Sequence, residues 1–564
     1  MSDNDKWVWF TEEEPIPSLL GPLGAPSKGA PAAKLDETAA ETPRKAAESS
    51  GLVRAVHLHL EGKPEEALKE LTAALEAGKD LPEIHSTMGN IQFTLGRYEQ
   101  AASSYARITV LNPKHRTAWY NQGVCLQRAL KWKDAAEALQ ESLEIDAKRF
   151  EARLGLGICW LHAGEAGKAL EAFEQCLRVR SDSEPAQFGK AVALHLEGRH
   201  DQAEALYRKI LPKNPDSEEL LTNLIAAGVA RRQGSTIKEF SERLLKLRPD
   251  ARAALEGLAT VAFSEGDFET AARHCAKLTE IAPHSFEAWF NLGVASQETG
   301  RLDQAAKAYQ KAVSLNPDSE QAHTNLGVVL QERDDFACAA RAHERALKIS
   351  PGAPGSLWNL ALVAERRGEA ESAESLYQQL AAKAPDWEEA WFRLGYLRLQ
   401  RGDFPGSVEA FEACVKRKSD WVDAHMNLGI AHWKSGDKDQ TRQALEKALA
   451  ARPKSVDALR GLAALAVERE DYELAFELQS RLIELGERSP EVFYNTGLVL
   501  QKSGRLEDAV RYYKEALSEK PNITEALLNL GHALKALGNE AEARSCWRKA
   551  VEANPELAAS YFAN

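Results

Sequence analysis

No apolar run in this chain approaches the ~18 residues that a helix needs to cross a bilayer, and the N-terminus lacks a basic segment leading into an apolar one. These absences predict a protein that is neither exported nor anchored, with no membrane partner. Seven cysteines, an odd number, include no CxxC pair and no metal-like cluster. A disulfide framework and a structural zinc site are therefore unsupported, and a reducing, cytoplasmic setting fits. Positive charge is short as well, the formal net charge being -13. Binding along phosphate backbones draws on clustered Lys and Arg, so nucleic acid is not an expected partner.

Catalytic patterns are missing too. The histidines form no HExxH and no two-residue metal spacing. Gly164-Glu-Ala-Gly-Lys168 has a misplaced first glycine and no strand before it, which makes it a turn rather than a phosphate loop. No Ser-His-Asp or Cys-His arrangement stands out. The sequence predicts no enzyme, no catalytic residue, no metal and no cofactor.

What is present is a ruler. From residue 48 to residue 557 the chain repeats every 34 residues, fifteen times, without insertion or deletion. Gly89 with Ala101, Gly123 with Ala135, Gly293 with Ala305 and Gly497 with Ala509 mark the same two places in successive units. In the unit 286–319, Trp289, Leu292, Gly293 and Ser296 lie at i, i+3, i+4 and i+7, and Gly300 ends that helix. Asp303 opens a second helix in which Ala305, Ala308, Tyr309 and Ala312 share a face. Asn316-Pro317 stops it, because proline has no N–H to donate. The period predicts an all-α solenoid of about fifteen helix-turn-helix units, each in contact only with its neighbours.

Within each unit, position 8 is usually Gly or Ala and position 20 usually Ala, so two small residues are expected to face each other. Bulky side chains at position 24, such as Tyr105, Phe173, Tyr207, Tyr309 and Trp547, are expected to fill the space toward the next helix. The sixth unit, 218–251, departs from this: Ile225 and Ile237 replace the small pair and Gly234-Ser235-Thr236 occupies the turn. It is a candidate hinge, with compensated packing as the alternative. Residues 1–47 have no helical period and are punctuated by Pro15, Pro17, Pro22, Pro26, Pro31 and Pro43, which reads as a disordered tail. Inside it, Lys6-Trp-Val-Trp-Phe10 precedes Glu12, Glu13 and Glu14, a candidate docking motif for a partner or for the chain's own groove. Residues 558–564 are a stub too short for a capping helix. The under-covered end is expected to pair with another copy, a partner or the Trp7-Trp9 segment.

The set Trp289, Leu292-Gly293, Gly300, Ala305, Tyr309, Ala312, Pro317 is similar to the tetratricopeptide repeat. The set Trp391, Leu394-Gly395, Gly402, Phe411 resembles it in the same way. The resemblance implies a right-handed superhelix whose first helices line a concave groove that holds proteins or peptides. Among such arrays, Trp289-Phe-Asn-Leu-Gly-Val294 with Asn316-Pro317 looks most like the repeat arm of O-linked N-acetylglucosamine transferases, here without a catalytic domain. That likeness implies that position-6 asparagines hold the backbone of an extended peptide: Asn121, Asn223, Asn291, Asn325, Asn359, Asn427, Asn495 and Asn529. Gly155, Gly189, Gly257, Arg393 and Gly461 interrupt the ladder, and a packing role for the asparagines is the competing reading.

By the same resemblance, positions 2, 5, 9, 12, 13 and 34 face the groove. Units ten to twelve carry aromatic and apolar residues there: Trp358, Phe392 and Met426 at position 5; Leu362, Tyr396 and Ile430 at 9; Leu399 and Trp433 at 12; Trp387 and Trp421 at 34. Trp358, Trp387, Phe392, Trp421 and Trp433 are the expected anchors. Trp387 and Trp421 lie in links, which favours exposure, whereas Leu362, Tyr396 and Ile430 are expected to pack between repeats. Position 2 is acidic in nine units, where carboxylates suit a helix N-terminus. If these also face the groove, the ligand is neutral to basic with apolar anchors. The sequence thus predicts a scaffold or adaptor holding a protein segment. Its rivals are a substrate-recognition subunit of a glycosyltransferase whose catalytic domain is on another chain, and a self-associating assembly factor.

Overall fold

The computed structural model describes residues 50–555. Thirty α-helices and no strand occur among them, two helices to each 34-residue unit. The aromatic-acidic motif with Trp7 and Trp9, the 1–47 tail and the 558–564 stub lie outside the described residues.

One repeat illustrates why the segments fold as they do. Its first helix spans Phe286–Glu298, and the Ser285 hydroxyl caps it by accepting from the Ala288 N–H at 3.2 Å. At the far end the Gly300 N–H reaches Gln297 O at 2.9 Å and the Arg301 N–H reaches Ser296 O at 2.8 Å. This closes the helix around a left-handed residue. The second helix, Leu302–Leu315, buries Ala305, Ala306, Ala308, Tyr309 and Ala312 along one face. Asn316 and Pro317 follow it.

The left-handed turn recurs at position 15 of every repeat. Eleven times the residue is glycine, from Gly62 to Gly538, but Leu130, Arg232, Asp334 and Glu470 adopt the same conformation with φ of 53° to 60°. The repeat backbone imposes this geometry even where no glycine supplies it.

The side chain at position 24 is the centre of each repeat's packing. A Cβ built on Gly293 would lie 2.6 Å from the Tyr309 ring, and one on Gly123 would lie 2.7 Å from Leu139. The glycine of position 8 is therefore seated under residue 24, which is closer to it than the small residue at position 20 expected from the pattern. The next repeat covers the other side of the same residue: Gly155 also packs on Leu139, and Gly189 packs on Phe173.

The described residues fall into two compact units, one ending at Pro317 and the other beginning at Asp318. In the first, a continuous core runs from Phe150 through Phe173, Tyr207 and Phe240 to Val261. The repeat at 218–251 lies within it. Ile225 and Ile237 are both buried there, and Gly257 of the following repeat makes their room, its notional Cβ lying 2.9 Å from Ile237 and 3.0 Å from Ile225. Two large residues in one repeat are offset by one small residue in the next. In the second unit the core is a succession of smaller clusters, among them Leu357–Tyr377–Leu394, Phe411–Leu428 and Tyr513–Leu530.

Five of the seven cysteines, Cys125, Cys159, Cys176, Cys275 and Cys414, are buried and free. Burial pushes the thiols of Cys125, Cys159, Cys176 and Cys414 up to about 12, where they serve as small core residues rather than nucleophiles.

Candidate functional site

The aromatic residues of units ten to twelve assemble within the second compact unit as two tiers of the same construction. In the first, Trp387 stacks on Trp358 with centroids 5.5 Å apart and planes 22° apart, and Trp358 meets Tyr377 edge-on at 5.6 Å. One repeat later Trp421 stacks on Phe392 at 4.6 Å and 18°, and Phe392 meets Phe411 edge-on at 5.6 Å. Each tier thus joins positions 34, 5 and 24 of one repeat. Offset stacks and edge-on pairs are the arrangements that ring quadrupoles favour.

The link residues hold extended backbone at the N-termini of the helices Glu388–Arg401 and Val422–Lys434, with φ and ψ of -84° and 92° at Trp387 and -77° and 97° at Trp421. Placed so, each indole turns back over its own repeat. Cations flank the tiers: Lys418 Nζ lies 5.1 Å from the Trp421 ring and the Arg417 guanidinium 5.1 Å from the Trp391 ring. Trp391 is fixed in turn by its Nε1–H, which donates to Pro385 O at 2.9 Å.

These positions differ in part from expectation. Trp387 and Trp421 are half-buried, because one indole face is already covered, as are Trp358 and Phe392. Of the expected anchors only Trp433 is exposed, at 37%. Tyr396 and Ile430, expected between repeats, are exposed at 40% and 41%: position 9 of the first helix points out of the inter-helix seam. Leu362 and Leu399 are half-buried. Arg393 pairs with Glu365 at 3.3 Å, while Arg398 and Arg401 share Glu374 at 3.1 Å and 2.8 Å.

The asparagines separate into two groups. Asn121, Asn223 and Asn291 have at most 1% of their surface exposed. The Asn223 amide is engaged on both sides: its Nδ2 donates to Glu219 O at 2.8 Å, and its Oδ1 accepts from the Tyr207 hydroxyl at 3.3 Å. The Tyr105 hydroxyl instead donates to Asn90 Oδ1 at 2.6 Å, with Asn121 hydrogen-bonded to the same hydroxyl from the following repeat. Asn325, Asn359, Asn427 and Asn529 are half-buried and Asn495 is exposed. Asn427 Nδ2 donates to Asp423 O at 2.8 Å and Asn529 Nδ2 to the Tyr494 hydroxyl at 3.1 Å. The ladder accessible to a ligand is the part from Asn325 onward.

The glycine interruptions have a physical cause. Position 6 abuts residue 24 of the preceding repeat. Where that residue is Leu139, Phe173 or Leu445, position 6 is Gly155, Gly189 or Gly461, with a notional Cβ in close contact in each case. Where it is Tyr105 or Tyr207, position 6 is an asparagine that bonds the hydroxyl. The match is local rather than general, since Phe411 precedes Asn427 and Tyr377 precedes Arg393 at the same 16-residue spacing.

Among the described residues no three His, Cys, Asp or Glu side chains are grouped to hold a metal ion, and no helix is long and apolar enough to cross a membrane.

Tetratricopeptide repeat models match residues 161–227, 262–327 and 500–562, and a second such model matches six stretches between residues 86 and 490. The chain belongs to the tetratricopeptide repeat family. Among curated relatives it is 33% identical over 90 residues to small glutamine-rich tetratricopeptide repeat-containing protein 2 of Mycosarcoma maydis. It is also 33% identical over 87 residues to tetratricopeptide repeat protein 8 of Caenorhabditis elegans. These matches cover 16% and 15% of this chain and 26% and 17% of the relatives, so the likeness is confined to a few tetratricopeptide repeats. Solved structures with similar repeats include a MamA protein (20% identity, 30% of this chain, 92% of that one, TM-score 0.29). YrrB, described as a tetratricopeptide repeat protein with an unusual peptide-binding site, is another (20%, 34%, 97%, 0.31). The Cut9–Hcn1 assembly of the APC/C is a third (14%, 74%, 97%, 0.30).

Proposed function

We propose that this tetratricopeptide repeat protein is a scaffold that holds an extended protein segment against the first helices of its second compact unit, with the two aromatic tiers as the anchoring floor. The observation that carries this reading is the pairing of Trp387 on Trp358 and Trp421 on Phe392 at the same positions of adjacent repeats, beside exposed Tyr396, Ile430 and Trp433. Exposed aromatic clusters bury large area on binding at small entropic cost and dominate hot spots. Stacking removes further freedom before the ligand arrives. Asn325, Asn359 and Asn427 supply amides for the ligand backbone, and the paired carboxylates and guanidiniums of Glu365, Arg393, Glu374 and Arg398 leave a nearly neutral wall suited to a neutral or basic segment with apolar anchors.

The likeness of the sequence to the repeat arm of O-linked N-acetylglucosamine transferases supports a second reading, in which the same groove delivers substrates to a catalytic domain on another chain. The accessible asparagines from Asn325 onward favour it.

Selection of ten- to twelve-residue peptides against the full chain tests both. Selected peptides are expected to carry two apolar anchors and to lose at least tenfold in affinity, about 1.4 kcal/mol, on the Tyr396→Ala, Trp433→Ala variant, whose exposed positions leave the fold intact. Affinity equal on both proteins would remove the groove reading. Replacing Asn325, Asn359 and Asn427 together tests the backbone contacts, and incubation with a labelled nucleotide sugar, with and without candidate catalytic chains, tests the second reading.

A further inference from the structure

In the eleventh and twelfth repeats a cavity of ≈ 490 Å³ opens between the second helices Phe404–Arg417 and Lys438–Ala451, with the first helix Val422–Lys434 as its floor. Its walls carry Lys416, Lys447, Gln440 and Gln443, and its floor carries His425 and His432. Volumes of this order accommodate small molecules.

The histidines are the unusual element. His432 is only 7% exposed, and no hydrogen bond holds its ring nitrogens among the described residues, although they are not sealed from solvent. His425, 3% exposed, donates its Nε2–H to Ser419 O, 2.8 Å away, and its Nδ1 is buried without a partner. A buried polar atom without a hydrogen bond costs stability. The position of His432 in its repeat is leucine in six others, among them Leu126, Leu330, Leu500 and Leu534, and is Ala364, Arg398 and Ala466 in the neighbouring repeats, so packing does not require a histidine. Around this floor Lys416 and Lys447 have no ion-pair partner among the described residues, in a chain rich in surface ion pairs. Glu412 is the one acid among the lining residues.

We propose that this cavity binds a small, multiply charged oxyanion, with Lys416 and Lys447 supplying charge at the mouth, Gln440 and Gln443 amide donors on the wall, and His432 the donor at the floor. Histidine and amide N–H groups with ammonium groups on both sides match oxygen acceptors that carry negative charge. None of the lining residues belongs to an aromatic tier, and the proposal is independent of the peptide reading.

The test is calorimetric titration of the full chain with inorganic pyrophosphate and, separately, with citrate, at ionic strength fixed by sodium chloride. These arms separate a phosphate ligand from a carboxylate one. Saturable one-site binding of at least one of them is expected. Lys416→Ala with Lys447→Ala is expected to weaken it at least tenfold. His432→Leu, which restores the residue of other repeats and should keep or raise the melting temperature, is expected to do the same. The Tyr396→Ala, Trp433→Ala variant is expected to bind as wild type does. Absence of saturable binding of either anion, or equal binding by wild type and the cavity variants, would overturn the proposal.

Discussion

The Tyr207 hydroxyl donates to Asn223 Oδ1 at 3.3 Å, across the junction between one repeat and the next, with both residues fully buried. This bond is the polar form of a contact that is made elsewhere by an aromatic ring against a glycine. Tyr207→Phe leaves the buried amide without that partner and is expected to cost about 1–3 kcal/mol. Tyr207→Phe with Asn223→Gly recreates the Phe173–Gly189 pairing. A double-mutant cycle by denaturant unfolding should give a coupling of about 0.5–1.5 kcal/mol; strict additivity would show that the two residues do not act as a pair.

Gly257 has the opposite sensitivity. Asparagine there would extend the ladder in sequence, but its Cβ would lie 2.9 Å from both Ile237 and Ser241 Oγ. Gly257→Asn is expected to lower stability by about 1–3 kcal/mol, read as a lower melting midpoint. Partial recovery is expected on adding Ile237→Ala, which returns the small residue found at that position in most repeats.

Leu130 is 68% exposed and held at φ 59°. A leucine in the left-handed region is strained by about 1–2 kcal/mol, and nothing about its exposure offsets that. Leu130→Gly is expected to raise the melting temperature, as is Glu470→Gly, whereas Gly300→Leu should lower it. Circular dichroism melts of the three variants decide the matter.

Acid should loosen the array at two identifiable places. Burial holds His343 and His195 down at about 4, against an ordinary value of 6.5, with the neighbouring His200 adding to the effect at His195. A histidine whose folded value is depressed favours the neutral form. Its contribution is complete above about pH 6.5 and is lost as pH falls toward 4, because the unfolded chain takes up the proton first. A loss of about 1–3 kcal/mol per group is expected across that window. His343→Gln, which keeps a donor for Gln331 Oε1, now 2.9 Å from His343 Nε2, should flatten the pH dependence in urea titrations between pH 7 and pH 4.

The fold was legible because each repeat writes the same constraints at the same places: the first-helix stripe of Trp289, Leu292 and Gly293, the turn at Gly300 and the stop at Pro317. The left-handed turns at Leu130, Arg232, Asp334 and Glu470 were not legible one by one, since those residue types signal nothing of the kind. The other repeats dictate them. The candidate site was legible as composition. Its geometry was not, because helical spacing gives the face a side chain occupies but not whether a ring from a link folds back to cover it. That is why Trp387 and Trp421 are half-covered while Tyr396 and Ile430 stand free. The His432 cavity left only a weak trace in the sequence, a histidine at a position that is leucine in six other repeats and arginine in the preceding one.

Because residue 24 is fitted to position 6 of the next repeat at the buried junctions Phe173–Gly189 and Tyr207–Asn223, those repeats are not interchangeable cassettes. A copy of the repeat ending at Ser183, inserted ahead of the one beginning at Glu218, would bring Phe173 against Asn223 and strand an amide. A copy placed ahead of Glu184 from the repeat containing Tyr105 would press a hydroxyl onto Gly189. The array could lengthen by duplication only where the new junction already matched, or where a second substitution followed the first.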